Sequence, residues 1–132
     1  MCKVGDIILV RKYLSNGTPL QKHSFIVIDD NNGEIHGLEY DWICNVLSSI
    51  KDDTQRKKKL SYPGNIEIKS NNMITNPHNG KDAYIKADQL YFFKKDKLDY
   101  RVIGQVTEEA LNDIIQFIED GTFQFEQIID NL

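Results

Sequence analysis

Nine residues, Lys22 to Asp30 (KHSFIVIDD), constrain this chain more than any other stretch. Phe25, Ile26, Val27 and Ile28 follow one another without a polar interruption, and an acidic turn, DDNNGE, stops them. A short unbroken run of branched and aromatic residues predicts a strand buried on both faces. Phe25 to Ile28 is then the middle of a small sheet. His23 and Ser24 stand where that strand begins, where a polar side chain can reach a cleft.

The rest of the chain supplies neighbours for that strand. Gly5-Asp6 is a turn leading to a first strand at Ile7 to Val10. Arg11 to Gln21 carries Ser15-Asn16-Gly17 and Thr18-Pro19 and reads as a loop. It is either a solvated connection or a flap over a site. Asn32-Gly33 predicts a hairpin returning as a third strand over Ile35 to Tyr40. Asp41 to Ile50 fits helix or strand, with strand favoured over Cys44 to Ser49. Lys51 to Lys59 is a charge run expected in a solvated loop. Pro63-Gly64 turns into an alternating strand, Asn65 to Lys69, with Ile66 and Ile68 inward. Ser70 to Lys81, rich in Asn, is expected as a loop with His78 in solvent. Ala83 to Phe93 is a strand with a bend near Ala87-Asp88, and Tyr100 to Gly104 is the last strand.

The period then changes. Thr107 caps a helix whose apolar stripe is Ala110, Leu111, Ile114, Ile115 and Ile118, and Gly121 stops it. Phe125, Ile128, Ile129 and Leu132 suggest a second short amphipathic helix. About six short strands followed by helix point to a mainly β, α+β fold built on a small closed or half-closed sheet. At 132 residues the chain is expected to be one domain, spanning 1–132.

Composition narrows the function classes. The formal charge of −4 gives no whole-molecule attraction for nucleic acid, so any such contact needs a local basic patch. The one run of four basic residues is Arg56, Lys57, Lys58 and Lys59, with Tyr62 close by. It reads as a solvated surface or as a phosphate grip beside a stacking ring. Cys2 and Cys44 lack zinc spacing and are expected as free thiols in a reducing, cytoplasmic setting. The N-terminal segment has no signal-peptide pattern, and no stretch approaches the ~20 apolar residues of a membrane span, so no membrane contact is expected. Phosphate-loop, GxGxxG, HExxH and GxSxG motifs are absent from the sequence. Asp29, Asp30 and Asp41 are explained by turn solvation without a metal, and Trp42 as core. No cofactor and no metal are expected.

The order Gly5-Asp6-Ile7, then Phe25-Ile26-Val27-Ile28, then an apolar segment ending in Ser48-Ser49, resembles the PemK/MazF family of toxin endoribonucleases. The tail AYIKADQLYFFKKDKLDYRVIGQVTEEALNDIIQFI resembles that family's last strands and following helix. The resemblance implies a small SH3-like β-barrel with a C-terminal helix, usually a homodimer. It implies cleavage of single-stranded RNA without metal, through a 2′,3′-cyclic phosphate, and a cognate antitoxin protein as partner. The family's Arg-Pro pair falls on His23 and Ser24, and its Thr or Ser on Ser48, or on Ser49 if the register slips by one. Histidine as a residue type, with an ordinary pKa of about 6.5, can serve as base and acid near neutral pH. It is a poorer permanent cation than Arg. Losing a charge-stabilising donor can cost about 2.7–4 kcal/mol of barrier. Arg11 or Lys22 is the expected replacement charge, with Arg56 and Lys57 as further substrate contacts. The alternative is a non-catalytic barrel of the same kind that binds protein or RNA.

Overall fold

A computed structural model describes residues 2–75 and 80–132. The strands are β1 (Asp6–Val10), β2 (Tyr13–Ser15), β3 (Thr18–Leu20), β4 (His23–Asp29), β5 (Gly33–Ile35), β6 (Leu38–Tyr40) and β7 (Trp42–Ser49). Helix α1 (Asp53–Leu60) precedes β8 (Asn65–Ile68), β9 (Met73–Thr75), β10 (Ala83–Lys86), β11 (Gln89–Phe93) and β12 (Tyr100–Val106). Helix α2 (Glu108–Asp120) and β13 (Glu126–Ile128) follow.

The fold is mainly β, with a helix near the C-terminal end, around a large curled half-barrel sheet. Seven strands run in the order β13-β11-β7-β4-β1-β12-β9, and β10 and β8 extend it beside β7. Every pairing is antiparallel except β11 with β13. Among the described residues no helix is long and apolar enough to cross a membrane.

The Phe25 strand is central, as its composition predicts, between β1 and β7. Alternation sorts its side chains onto two cores. Phe25 and Val27 join Val10, Tyr13, Cys44, Val46, Tyr91 and Phe93 on an aromatic face. Ile26 joins Ile7, Leu47, Ile68, Ile85 and Ile114 on the face that α2 covers. Helix α2 begins as expected, with the Thr107 hydroxyl accepting the Ala110 N–H at 3.2 Å. Gly121 ends it in ordinary extended backbone rather than a left-handed turn. A Cβ there would meet the Phe123 ring at 2.5 Å, so close packing selects glycine.

Several local expectations are corrected. The central strand's second partner is β7, not residues 35–40. Those residues fold on themselves as a β5–β6 hairpin, turned by His36 and Gly37 at φ 50° and 81°. Residues 11–21 are likewise a hairpin, with Tyr13–Ser15 paired to Thr18–Leu20 and Asn16-Gly17 at the turn. Lys51 to Lys59 is mostly helix, because the Asp52 carboxylate accepts the Gln55 N–H at 2.8 Å and nucleates α1. Met73 to Thr75 is an edge strand on β12, and His78 lies outside the described residues.

The last segment is a strand rather than a helix. Glu126–Ile128 runs parallel to β11, and Ile128 is fully buried in the aromatic core. This segment ties down the β2–β3 hairpin. The Asn131 amide donates to Leu14 O at 2.9 Å and accepts the Leu14 N–H at 2.7 Å. Asp130 accepts the Gly17 N–H at 2.5 Å, and Glu126 accepts from the Asn16 amide at 3.0 Å.

The bend expected near Ala87-Asp88 is a full break between β10 and β11, which share one edge of β7. Asn45 of β7, fully buried, fills the gap and donates to Gln89 O at 2.9 Å and Lys86 O at 3.3 Å. Asn45→Ala leaves both carbonyls without that donor. The expected cost is about 1–3 kcal/mol in urea unfolding. A loss under about 0.5 kcal/mol would show that the amide does not hold the break.

Candidate functional site

The β4–β7 register pairs Ser24 with Leu47 and Phe25 with Val46. Continued by one residue, it sets His23 across from Ser48, on the aromatic face that Phe25 and Val46 share. On its far side Ser48 pairs with Tyr84 of β10, and Tyr84 pairs with Glu67 of β8. One row therefore crosses this end of the sheet as His23, Ser48, Tyr84 and Glu67. His23 is exposed, Ser48 half-buried and Tyr84 buried. The Tyr13 ring of the β2–β3 hairpin flanks the row, edge-on to His23 with centroids 6.0 Å apart. The Tyr91 hydroxyl donates to Ser15 at 3.0 Å and ties that hairpin to the sheet a second way. Burial of the Tyr13 phenol pushes its pKa up to about 12, so it stays neutral beside His23.

Helix α1 lies over the other end of the row. Arg56 and Lys59 are three residues apart and share its sheet-facing side. Arg56 is ion-paired with Glu67 and, at 2.9 Å, with Asp82. Lys59 places its ammonium 6.0 Å from the centroid of the Tyr84 ring, within cation–π range. Lys57 and Lys58 are exposed. The basic run thus divides into an inward pair and an outward pair.

The remaining expected site residues fall elsewhere. Ser24 and Ser49 alternate onto the α2 side of the sheet, opposite Leu47 and Ala83 respectively. Of the two serines, Ser48 is therefore the one that shares a face with His23. Arg11 and Lys22 follow Val10 and His23 at the next register position, both exposed at the sheet's end. Asp41 accepts the Lys95 N–H and Asp29 the Asn31 N–H, as turn residues do. Among the described residues no group of three or more His, Cys, Asp or Glu could hold a metal ion. Cys2 and Cys44 are unpaired, and burial raises the Cys2 pKa to about 11.

Lys59 and Tyr84 were not singled out individually by sequence reasoning. Lys59 lies inside a run that reads as a solvated surface or as a phosphate grip beside Tyr62, and Tyr84 reads as one apolar residue in a long strand. Their meeting requires α1 to fold back over β10. The spacing Asp52-x-x-Gln55 is the signal that could have revealed that helix.

The Asp82 contact has a pH consequence. The Ser70 N–H at 2.8 Å and the Arg56 guanidinium hold the Asp82 carboxyl below its ordinary value of 3.8. The folded state thus favours the carboxylate. That stability is complete well above pH 3.8 and is lost as pH falls through the lower folded value. Asp82→Asn should cost about 1–2 kcal/mol at pH 7 and flatten the loss of stability below pH 3.8. Acid unfolding curves of the two proteins that stay parallel through that range would contradict the assignment.

No protein-family model matches this chain, and no curated protein matches it.

Proposed function

We propose that this chain is a metal-independent endoribonuclease of the PemK/MazF kind, an SH3-like barrel that cuts single-stranded RNA at the His23–Ser48 end of its sheet. The observation that carries the reading is the β4–β7 register, which brings those two residues to one face of adjacent strands. In the proposed reaction the His23 imidazole takes the proton of a ribose 2′-hydroxyl. The 2′-oxygen forms a bond to phosphorus as the bond to the 5′-oxygen breaks. The imidazolium returns the proton to that leaving oxygen. The products are a 2′,3′-cyclic phosphate and a free 5′-hydroxyl. The Ser48 hydroxyl donates to a non-bridging phosphate oxygen, where negative charge builds up. The β2–β3 hairpin forms one wall through Tyr13. A homodimer, a cytoplasmic setting and a cognate antitoxin protein belong to the same reading.

The net charge of −4 favours a second reading, a barrel of this kind that binds a protein or RNA partner without cutting. Long single-stranded RNA incubated with the protein in EDTA separates the two. Discrete cuts ending in cyclic phosphate support the nuclease. Intact RNA, with the protein folded and free of bound partner, selects the binding module.

A further inference from the structure

We infer that Lys59 is the phosphate-binding cation of the His23–Ser48 centre, held in place by the Tyr84 ring. The inference rests on the reading of that sheet end as an RNA site. Cleaving a phosphodiester places growing negative charge on the phosphate, and a site built from an imidazole and a hydroxyl needs a fixed cation beside them. Basic side chains around the row include Arg56, Arg11, Lys22, Lys69 and Lys59, and Lys69 is already ion-paired with Glu67 at 3.2 Å. Arg56 is committed to Glu67 and Asp82. Arg11 and Lys22 stand exposed at the sheet's end, where grasping a phosphate costs side-chain rotamer freedom. Lys59 is half-buried and already restrained, 6.0 Å from the centroid of the ring whose residue pairs directly with Ser48. Both Tyr84 and Ser48 project from the same face, so the ammonium sits on the side of the sheet where the hydroxyl is.

The ring acts by position. A cation–π contact at this distance is weak at a partly exposed site. It is enough to bias where the ammonium sits, and weak enough to let it exchange the ring for a phosphate. A Lys at position 59 also ends α1 with positive charge, which suits the helix's C-terminal carbonyls.

The test is binding rather than turnover, so it is independent of the chemistry at His23. A mixed-sequence single-stranded RNA and its all-2′-deoxy counterpart, which cannot form a cyclic phosphate, are titrated over a range of salt concentrations. Lys59→Gln should weaken binding of both roughly tenfold. It should also lower the slope of log affinity against log salt by about 0.7, the contribution of one phosphate contact on a single strand. Lys59→Arg should keep the slope. Lys95→Gln, on the turn beside the opposite end of β7, should change neither quantity. An unchanged slope in Lys59→Gln, or an equal loss in Lys95→Gln, overturns the inference. Wild-type protein that binds neither oligonucleotide overturns it together with the nuclease reading. The expected loss in Lys59→Gln, in a protein that cuts no RNA, upholds the cation site and removes the cleavage chemistry alone.

Discussion

On the proposed nuclease reading, replacing His23 with Ala should slow RNA cleavage by about 10²–10⁴-fold, the usual contribution of a positioned general acid–base group. The fold should tolerate the change. His23 is exposed at the first position of β4, and among the described residues its ring meets one aromatic side chain, the edge-on Tyr13. Losing such a contact costs about 0.5–1.5 kcal/mol, a small part of a domain's stability. Rate and melting temperature should therefore separate, with the first falling steeply and the second moving by a few degrees. A cleaving enzyme whose rate falls less than about fivefold in His23→Ala would assign the proton transfers to another group.

The second large effect is on stability, two residues further along the same strand. Phe25 is fully buried, and its ring meets Tyr13 and Tyr91 at 5.0 Å and Phe93 at 5.1 Å, all edge-on. Phe25→Ala should cost about 3–5 kcal/mol, because three rings fixed by their own packing cannot collapse into the space. That is a large fraction of the roughly 5–15 kcal/mol available to a domain. Urea unfolding should show a midpoint lowered in proportion. Tyr13 and its hairpin should also loosen, since Phe25 is part of the surface on which that hairpin rests. A loss under about 1 kcal/mol would mean that the aromatic core repacks freely, and that β4 is not its centre.

What could be seen from residues alone follows how strongly each segment's own pattern decides its state. Phe25 to Ile28 has no polar face, so only a strand buried on both sides suits it. The α2 stripe is long and capped. The break at Ala87-Asp88 shows as a loss of alternation, and the break is there.

Helix α1 is hard to read because it buries no residue, its local signal is the Asp52-x-x-Gln55 cap alone, and its other ties, Arg56's ion pairs and the Asn65 amide on Lys59 O, form only once the chain has folded. Residues 125–132 have helical spacing, yet the open edge of β11 and the burial of Ile128 make residues 126–128 a strand. Tertiary pairing there overrides local period. The candidate site divides in the same way. The family resemblance put His23 and Ser48 forward as a pair that could converge at one sheet end. The register that sets them on adjacent strands could not be read, because the intervening β5–β6 hairpin looks like the central strand's partner. Lys59 and Tyr84 meet only through a helix that the charge pattern concealed.

The most direct measurement is a double-mutant cycle on cleavage of single-stranded RNA in EDTA, comparing wild type, His23→Ala, Ser48→Ala and the double variant. Groups that act as one unit are strongly non-additive. If His23 and Ser48 form a single centre, each single variant should lose at least about 10²-fold, and the double should be little worse than the poorer single. Multiplicative losses, or a Ser48→Ala protein as active as wild type, would contradict a shared centre at this end of the sheet.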